Sequence, residues 1–313
     1  MENPVLSILA LCYNHERYVD QAMFSIDAIE YRPLEVWIAD DNSDDDSKAI
    51  LKKWQKSRPK WNFVFQEANI GNCKTFNGLL SKCKGEFIID FATDDVLIAE
   101  NISDWIDSLR LKPLAGFCYA DAKVLNDKTG HQYLFSGQLK RTKMPEGVIL
   151  DLLLGQPFIC PPAVLFRKSA LEKVGGYDEQ LAFEDLDIWL RLAKDFEVAY
   201  FNQVVVTYRK HQDSLSASLF KNRNQKILSS TLLILGRISH WDAFKNGSLS
   251  YFTFVKYHLK IAGALQLKVE ALSFFNILND HKKVDNYDRF WIWISQFRIP
   301  FYKLFIFYQR KFR

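Results

Sequence analysis

The chain has 313 residues, 48% of them hydrophobic and 25% charged, which excludes a disordered polypeptide and leaves ample length for a buried core. Its net charge of +4 is unevenly split: from Leu215 onward there are 16 Lys+Arg against 5 Asp+Glu, and before it 25 against 32. An acidic body with a basic tail is the pattern of a catalytic domain joined to a segment that meets an anionic surface.

Val5 to Cys12 is expected as a buried strand, being too short and lacking the basic leader of a signal peptide. Glu16 to Ile29 has helical spacing through Val19, Met23 and Ile26. Leu34 to Ala39 is a second strand, ending at Asp40-Asp41-Asn42-Ser43. Asp44 to Ser57 reads as a helix with carboxylates in its first turn, where the macrodipole favours them. Asn62 to Gln66 is a third strand, Cys73 to Cys83 a helix and Phe87 to Phe91 a fourth strand. Strands alternating with helices of this length predict βαβ units and a largely parallel, Rossmann-like sheet. No GxGxxG follows the first strand, which argues against a dinucleotide site.

The fourth strand opens into Thr93-Asp94-Asp95, beyond a strand's carboxyl end, where α/β sheets collect ligands. Adjacent carboxylates repel, and a hard divalent cation with phosphate oxygens completing its shell is their natural partner. The plainer alternative is an exposed acidic turn that caps the next helix. Asp40 and Asp41 lie at the same sheet edge, where an ionised aspartate can accept a base N–H or ribose hydroxyls. The plainer alternative there is turn formation and N-capping.

Taken together, Leu6-Ser7-Ile8, Cys12-Tyr13-Asn14, Asp40-Asp41-Asn42-Ser43-Asp44-Asp45, Asn69-Ile70-Gly71 and Ala92-Thr93-Asp94-Asp95 resemble the inverting glycosyltransferases of family 2, with the GT-A fold. The likeness runs through residues 5 to 215. It implies a nucleotide-diphosphate sugar donor (a UDP-sugar favoured), a Mg²⁺ or Mn²⁺ ion, and transfer with inversion. By that resemblance Asp41 accepts from the base, with Asp40 the second candidate, and Asn69 and Gly71 border the nucleotide. Asp94 contacts ribose or sugar, and Asp95 ligates the metal. Thr93 departs from the family's DXD pattern, which often has an acidic residue at that place.

Ile98 to Leu111 is an expected helix, Ala115 to Tyr119 a strand, and Asp121 to Phe135 a hairpin turning at Asp127-Lys128-Thr129-Gly130. Pro157 to Pro162 is a stiff loop, Ala163 to Arg167 a strand, and Ser169 to Val174 a short helix stopped by Gly175-Gly176. Tyr177-Asp178-Glu179 then leads to Glu184-Asp185 at the start of a helix carrying Leu186, Trp189, Leu190 and Ala193. This segment resembles the family's base motif, which makes Asp185 the base and places Glu184, Tyr177 and Trp189 on the acceptor side. The bland alternative is acidic capping of an amphipathic helix. Val198 to Phe201 and Val204 to Arg209 are further strands. They run into Tyr208-Arg209-Lys210-His211, where His211 completes the metal shell or meets the diphosphate.

The expected division is a GT-A catalytic domain at 1–218 and a basic, aromatic, helical extension at 219–313, with helices at Ile227 to Ile238 and Thr253 to Leu278. Tyr287 to Arg313 interleaves Phe290, Trp291, Trp293, Phe297, Phe301, Tyr302, Phe305, Phe307, Tyr308 and Phe312 with Arg and Lys. Pro300 would interrupt a helix there. Such a segment suits an anionic membrane surface or packing onto the catalytic domain, and no nucleic-acid motif accompanies it. The five cysteines (Cys12, Cys73, Cys83, Cys118, Cys160) are scattered and include no CxxC pair, so reduced thiols in a cytoplasmic protein are expected. No run of about 20 apolar residues would span a membrane. The expected activity is metal-dependent sugar transfer to a glycan or lipid-linked acceptor in bacterial-type polysaccharide assembly, at the inner face of the plasma membrane. The rivals are a catalytically silent binding scaffold and a nucleotidyltransferase. The latter normally has a Gly-rich loop where this chain has Tyr13-Asn14-His15-Glu16.

Overall fold

The computed structural model describes residues 3–139, 141, 143–155, 157–211, 225–245 and 248–297. The chain forms two compact units. The first comprises residues 1–149, 158–179 and 184–211, and the second residues 150–157, 180–183 and 212–313. The expected boundary at 218/219, and the tail from Arg298 through Pro300 to Arg313, lie outside the described residues.

The first unit is built on β1 (Leu6–Cys12), β2 (Leu34–Asp40), β3 (Asn62–Phe65) and β4 (Phe87–Ala92), which pair in parallel in the order β3-β2-β1-β4. Helices α1 (Val19–Asp27), α2 (Ser47–Ser57) and α3 (Asn72–Leu80) connect them. Alternate residues of β1 serve two cores. Leu6, Ile8, Ala10 and Cys12 pack with Val19, Met23 and Ile26 of α1 and with Trp105 and Ile106 of α4 (Ile102–Arg110). Leu9 and Leu11 are also buried, on the opposite face. A strand buried on both faces needs a continuous apolar run, and Leu6–Cys12 supplies one.

The parallel order then breaks. After β5 (Val96–Leu97) come β6 (Ala115–Asn126), β7 (Gln132–Leu134), β8 (Val164–Arg167) and β9 (Glu197–Lys210). β8 is antiparallel to both β4 and β6, while β6 and β9 run parallel. Two expectations needed correction. The strand and first hairpin arm expected between Ala115 and Asn126 are one strand, as are the two expected in Glu197–Lys210. Register shifts around Ala120 and Asp121 absorb the extra residues without ending the β6–β9 pairing.

Helices α5 (Lys168–Val174) and α6 (Asp185–Asp195) follow β8. Gly175, with φ +83°, caps α5 in the left-handed region. Arg191 joins the two helices, donating to Asp187 Oδ2 at 2.7 Å and to the Val174 and Gly176 carbonyls at 2.6 and 2.7 Å. Asp187 is only 2% exposed. Arg191→Leu would leave that carboxylate buried without its cation, and is expected to cost about 3–5 kcal/mol, read as a lowered urea midpoint.

In the second unit, α7 (Gln225–Ile238), α8 (Asp242–Lys245), α9 (Leu249–Leu265), α10 (Lys268–Asp280) and α11 (Asn286–Ser295) form the helical part. The single helix expected over Thr253 to Leu278 is two. Gln266 takes φ 59° and ends α9, with Leu267 N–H donating back to the Ala262 carbonyl at 3.0 Å.

Candidate active site

Because β2, β1 and β4 are neighbours in register, Asp40, Cys12 and Ala92 bring three chain turns to one sheet edge. Asn14 and Asn42 turn the backbone there with φ 59° and 60°, a conformation asparagine tolerates better than most residues. The turns are stitched together. Asn14 N–H donates to Ser43 Oγ at 3.0 Å, Asp44 N–H to Asn14 Oδ1 at 2.8 Å, and His15 N–H to Ser47 Oγ at 2.8 Å.

Asp40 and Asp41 have different partners. Asp40 is fully buried and accepts from Ser43 N–H at 3.1 Å, and its Oδ1 has no partner among the described residues. Asp41 accepts from Ile70 N–H on one oxygen and Gly71 N–H on the other, both at 2.9 Å. It therefore holds the loop that contains Asn69 and Gly71, and each oxygen keeps a further lone pair. Gly71, at φ +89°, makes the turn into α3.

At the tip of β4 the two adjacent carboxylates also part company. Asp95 is buried and accepts from Arg209 N–H at 2.8 Å, so it ties the β4 turn to the end of β9. Burial, aided by the Asp94 charge, pushes its carboxyl well above the usual range. Asp94 stands in a partly buried position where desolvation opposes its charge, but the bond to His211 and the nearby imidazoles win and hold it below the usual range. Asp94 Oδ2 lies 2.9 Å from His211 Nε2 and 3.8 Å from His15 Nε2, and its Oδ1 is buried with no partner among the described residues. Thus Asp94, the residue expected to meet ribose or sugar, is the carboxylate beside His211. Asp95, the expected metal ligand, faces the backbone of β9.

Sequence reasoning missed His15, whose Nδ1 lies 2.9 Å from Thr93 Oγ1. Its position three residues past β1, next to β4 in the sheet, was the available signal. Arg209 is fixed beneath the turn by its place over the Tyr18 ring, 5.1 Å from the centroid, and by its bond to Gln21.

Asp185 is the first residue of α6 and accepts from Leu186 N–H at 2.6 Å, with Glu184 at the N-cap. Burial raises the Asp185 carboxyl above its ordinary range. Burial, then the charges of Asp185 and Asp90, push Glu184 up to about 8, against a side-chain hydrogen bond with Asn72. Asn72 opens α3 directly after Gly71, so one short stretch links the Asp41 rim to the Glu184-Asp185 pair. Tyr177 is buried, donates to Asp90 Oδ2 at 2.6 Å, and has its peptide clamped by Asn77 through two 2.9 Å bonds. Burial raises Asp90 to about 6. Trp189 is buried on α6. Asn72, Asn77 and Asp90 carried no signal in the sequence, since each works through a contact made only on folding.

Among the described residues no group of three His, Cys, Asp or Glu has the arrangement of a protein-only metal site. A divalent ion shared with a diphosphate needs only one or two carboxylates from the protein. The orphaned Oδ1 of an anionic Asp94 beside His211 fits that requirement.

The sequence model of glycosyl transferase family 2 matches residues 7–175. The GalNAc(5)-diNAcBac-PP-undecaprenol beta-1,3-glucosyltransferase of Campylobacter jejuni is 26% identical over 274 residues, 83% of this chain and 84% of that one. Among solved structures, Staphylococcus aureus TarS 1-349 with UDP-GlcNAc gives a TM-score of 0.65 at 16% identity, covering 90% of this chain and 89% of that one. The mannosyltransferase PcManGT of Pyrobaculum calidifontis, with GDP-Man and Mn²⁺, gives 0.61 at 15% identity, covering 94% and 84%. These likenesses show a GT-A sheet in the first unit's architecture.

Proposed function

The chain belongs to glycosyl transferase family 2, and from that membership we propose a cation-assisted, single-displacement transfer in which Asp185 is the base and Asp94 carries the metal. The carrying observation is the edge itself. Asp41 holds the loop into α3, Asn72 at the start of α3 meets Glu184, and Asp94 lies at the neighbouring strand end with one oxygen that has no partner among the described residues.

Asp41, with its spare lone pairs, accepts the N–H of a nucleobase, and uracil offers such a group. Thymine offers the same imide N–H; the solved neighbour in complex with UDP-GlcNAc favours a UDP-sugar as the donor, and Asn69 and Gly71 border it. A bound Mg²⁺ or Mn²⁺ at Asp94 supplies charge neutralisation for the diphosphate as it leaves. His211 orients the Asp94 carboxylate through its Nε2, while Asp95 fixes the turn from beneath by its bond to Arg209 N–H.

The acceptor hydroxyl oxygen attacks the anomeric carbon as the bond from that carbon to the diphosphate oxygen breaks. The hydroxyl proton passes to the Asp185 carboxylate, and attack opposite the leaving group inverts the centre. The amides of the first turn of α6 stabilise the ionised Asp185. Glu184, Tyr177 and Trp189 form the acceptor side. The C. jejuni relative, named for an undecaprenol-diphosphate-linked glycan, supports a glycan or lipid-linked acceptor in bacterial surface polysaccharide assembly. No described helix is long and apolar enough to cross a membrane. We place the enzyme in the cytoplasm, with its basic C-terminal segment against the anionic inner face of the plasma membrane.

Glu184 offers a test with a defined sign. A carboxyl raised to about 8 in the fold stabilises the native state while protonated. That contribution is complete below the unfolded value near 4.3 and is lost as pH rises toward 8. Glu184→Gln should therefore match the parent in melting temperature near pH 5 and exceed it by several degrees at pH 9. Transfer near pH 7 should be kept within about tenfold, because the parent side chain is already neutral there. A parallel pair of stability curves would remove the buried, protonated Glu184 from the account.

A further inference from the structure

Helix α11 is apolar on two sides. Trp291 and Ile294 are buried, and a Cβ at Gly263 of α9 would lie 2.7 Å from the Trp291 carbonyl, so the two helix backbones are in close approach. The helix start is fixed by reciprocal capping between Asp285 and Asp288, with Lys256 bonded to both carboxylates. On the other side Tyr287, Phe290, Trp293 and Phe297 are 51%, 44%, 54% and 38% exposed. Their rings form a row, with centroids 6.4, 6.2 and 4.3 Å apart in turn. An apolar outer side opposite the buried one calls for a second apolar medium, and a contiguous aromatic row is more than the scattered exposure ordinary on protein surfaces.

From Lys256 to Arg313 the sequence carries 11 Lys+Arg against 4 Asp+Glu, three of those acids being Asp280, Asp285 and Asp288 around the start of α11. Lys260 lies 5.1 Å from the centroid of the Tyr287 ring, and Lys282, Lys283 and Arg289 are exposed nearby in sequence. Residues 298–313 contain five Lys+Arg and no Asp or Glu. A second copy of this chain would bring the same positive charge to the face and be repelled. An anionic bilayer offers opposite charge and an apolar interior together, and Trp and Tyr settle at that boundary.

We propose that the outer face of α11 is a membrane-docking surface, with Tyr287, Phe290, Trp293 and Phe297 entering the headgroup layer of an anionic bilayer. This deepens the membrane placement given above, and rests on it for the charge of the partner. The test uses the full chain with phosphatidylcholine vesicles, alone or with roughly 30% phosphatidylglycerol, read by co-sedimentation. The parent is expected to bind the anionic vesicles, and lipids brominated in the acyl chain should quench its fluorescence. The triple variant Tyr287→Ser, Phe290→Ser, Trp293→Ser should lose about tenfold or more in partitioning, with unchanged melting temperature and UDP binding. Trp293→Phe should keep binding and lose most of the quenching. Equal partitioning of the triple variant overturns the α11 assignment and leaves the basic segment as the membrane element. Absence of parent binding to either vesicle overturns both. A dimer of the parent that the triple variant abolishes makes the face a self-interface and also overturns it. UDP binding, measured alongside, reports on the donor site independently.

Discussion

Asp185→Asn is expected to lower kcat for sugar transfer by about 10²–10⁴-fold while leaving the Kd for UDP within a few-fold of the parent. The substitution keeps the size and the acceptor oxygen that takes Leu186 N–H, so the start of α6 is preserved. It removes the one carboxylate assigned to receive the acceptor proton. Because that proton moves only as the new glycosidic bond forms, the loss falls on kcat, with KM for the donor nearly unchanged. Single-turnover transfer from a UDP-sugar, with UDP binding by calorimetry on the same preparation, separates the two. Retention of full kcat would take Asp185 out of the mechanism and revive the reading of its carboxylate as a helix cap. Loss of transfer together with loss of UDP binding would mean that the substitution had damaged the fold.

Asp94→Asn should have the second largest effect, and on a different quantity. The amide can still hydrogen-bond His211, yet it has no charge to hold a divalent cation against the diphosphate. UDP affinity in Mn²⁺ is expected to fall about 100-fold, or about 2.7 kcal/mol, to the level that the parent shows in EDTA. In EDTA the parent and variant should bind UDP alike. Asp95→Asn should instead leave the Mn²⁺ effect on UDP affinity in place, because its carboxylate is buried against the end of β9 rather than open to a ligand, and the amide oxygen can still accept from Arg209 N–H. Titration of the two variants with UDP, with and without Mn²⁺, distinguishes the two aspartates. A metal effect lost with Asp95 but retained with Asp94 would return the ion to Asp95.

The parallel half of the sheet was legible because its signals are local. Leu6–Cys12, Leu34–Asp40 and Phe87–Ala92 are mostly apolar runs with an Asp or Asn at the end or two residues beyond it (Asn14, Asp40, Asp94), and each became a strand ending at the site. The second half was less so. Nothing in Ala115–Asn126 or Glu197–Lys210 announces that a strand will continue through a bulge, since the continuation depends on each strand having the other as neighbour. The helix break at Gln266 was missed for another reason: the left-handed residue is not glycine.

Within the site, the carboxylates could be named from the sequence, but their division of labour could not. Asp94 and Asp95 are adjacent and chemically identical. Strand pairing decides that one faces Arg209 N–H and the other His211. His15 and Asn72 belong to the site through neighbours 78 and more than 100 positions away, Thr93 and Glu184, a distance no local pattern spans.

The central claim is a cation-dependent nucleoside diphosphate site at the edge of β1, β2 and β4. A thermal-shift panel of UDP, TDP, GDP and CDP, each with Mn²⁺ and with EDTA, tests it most directly. A ligand at 100 times its Kd contributes about 2.7 kcal/mol, which is a clear rise in melting temperature for a chain of this size. The expected result is stabilisation by UDP above the others, present with Mn²⁺ and largely absent in EDTA. No stabilisation by any diphosphate in either condition would contradict the account and leave a family member whose donor site is silent.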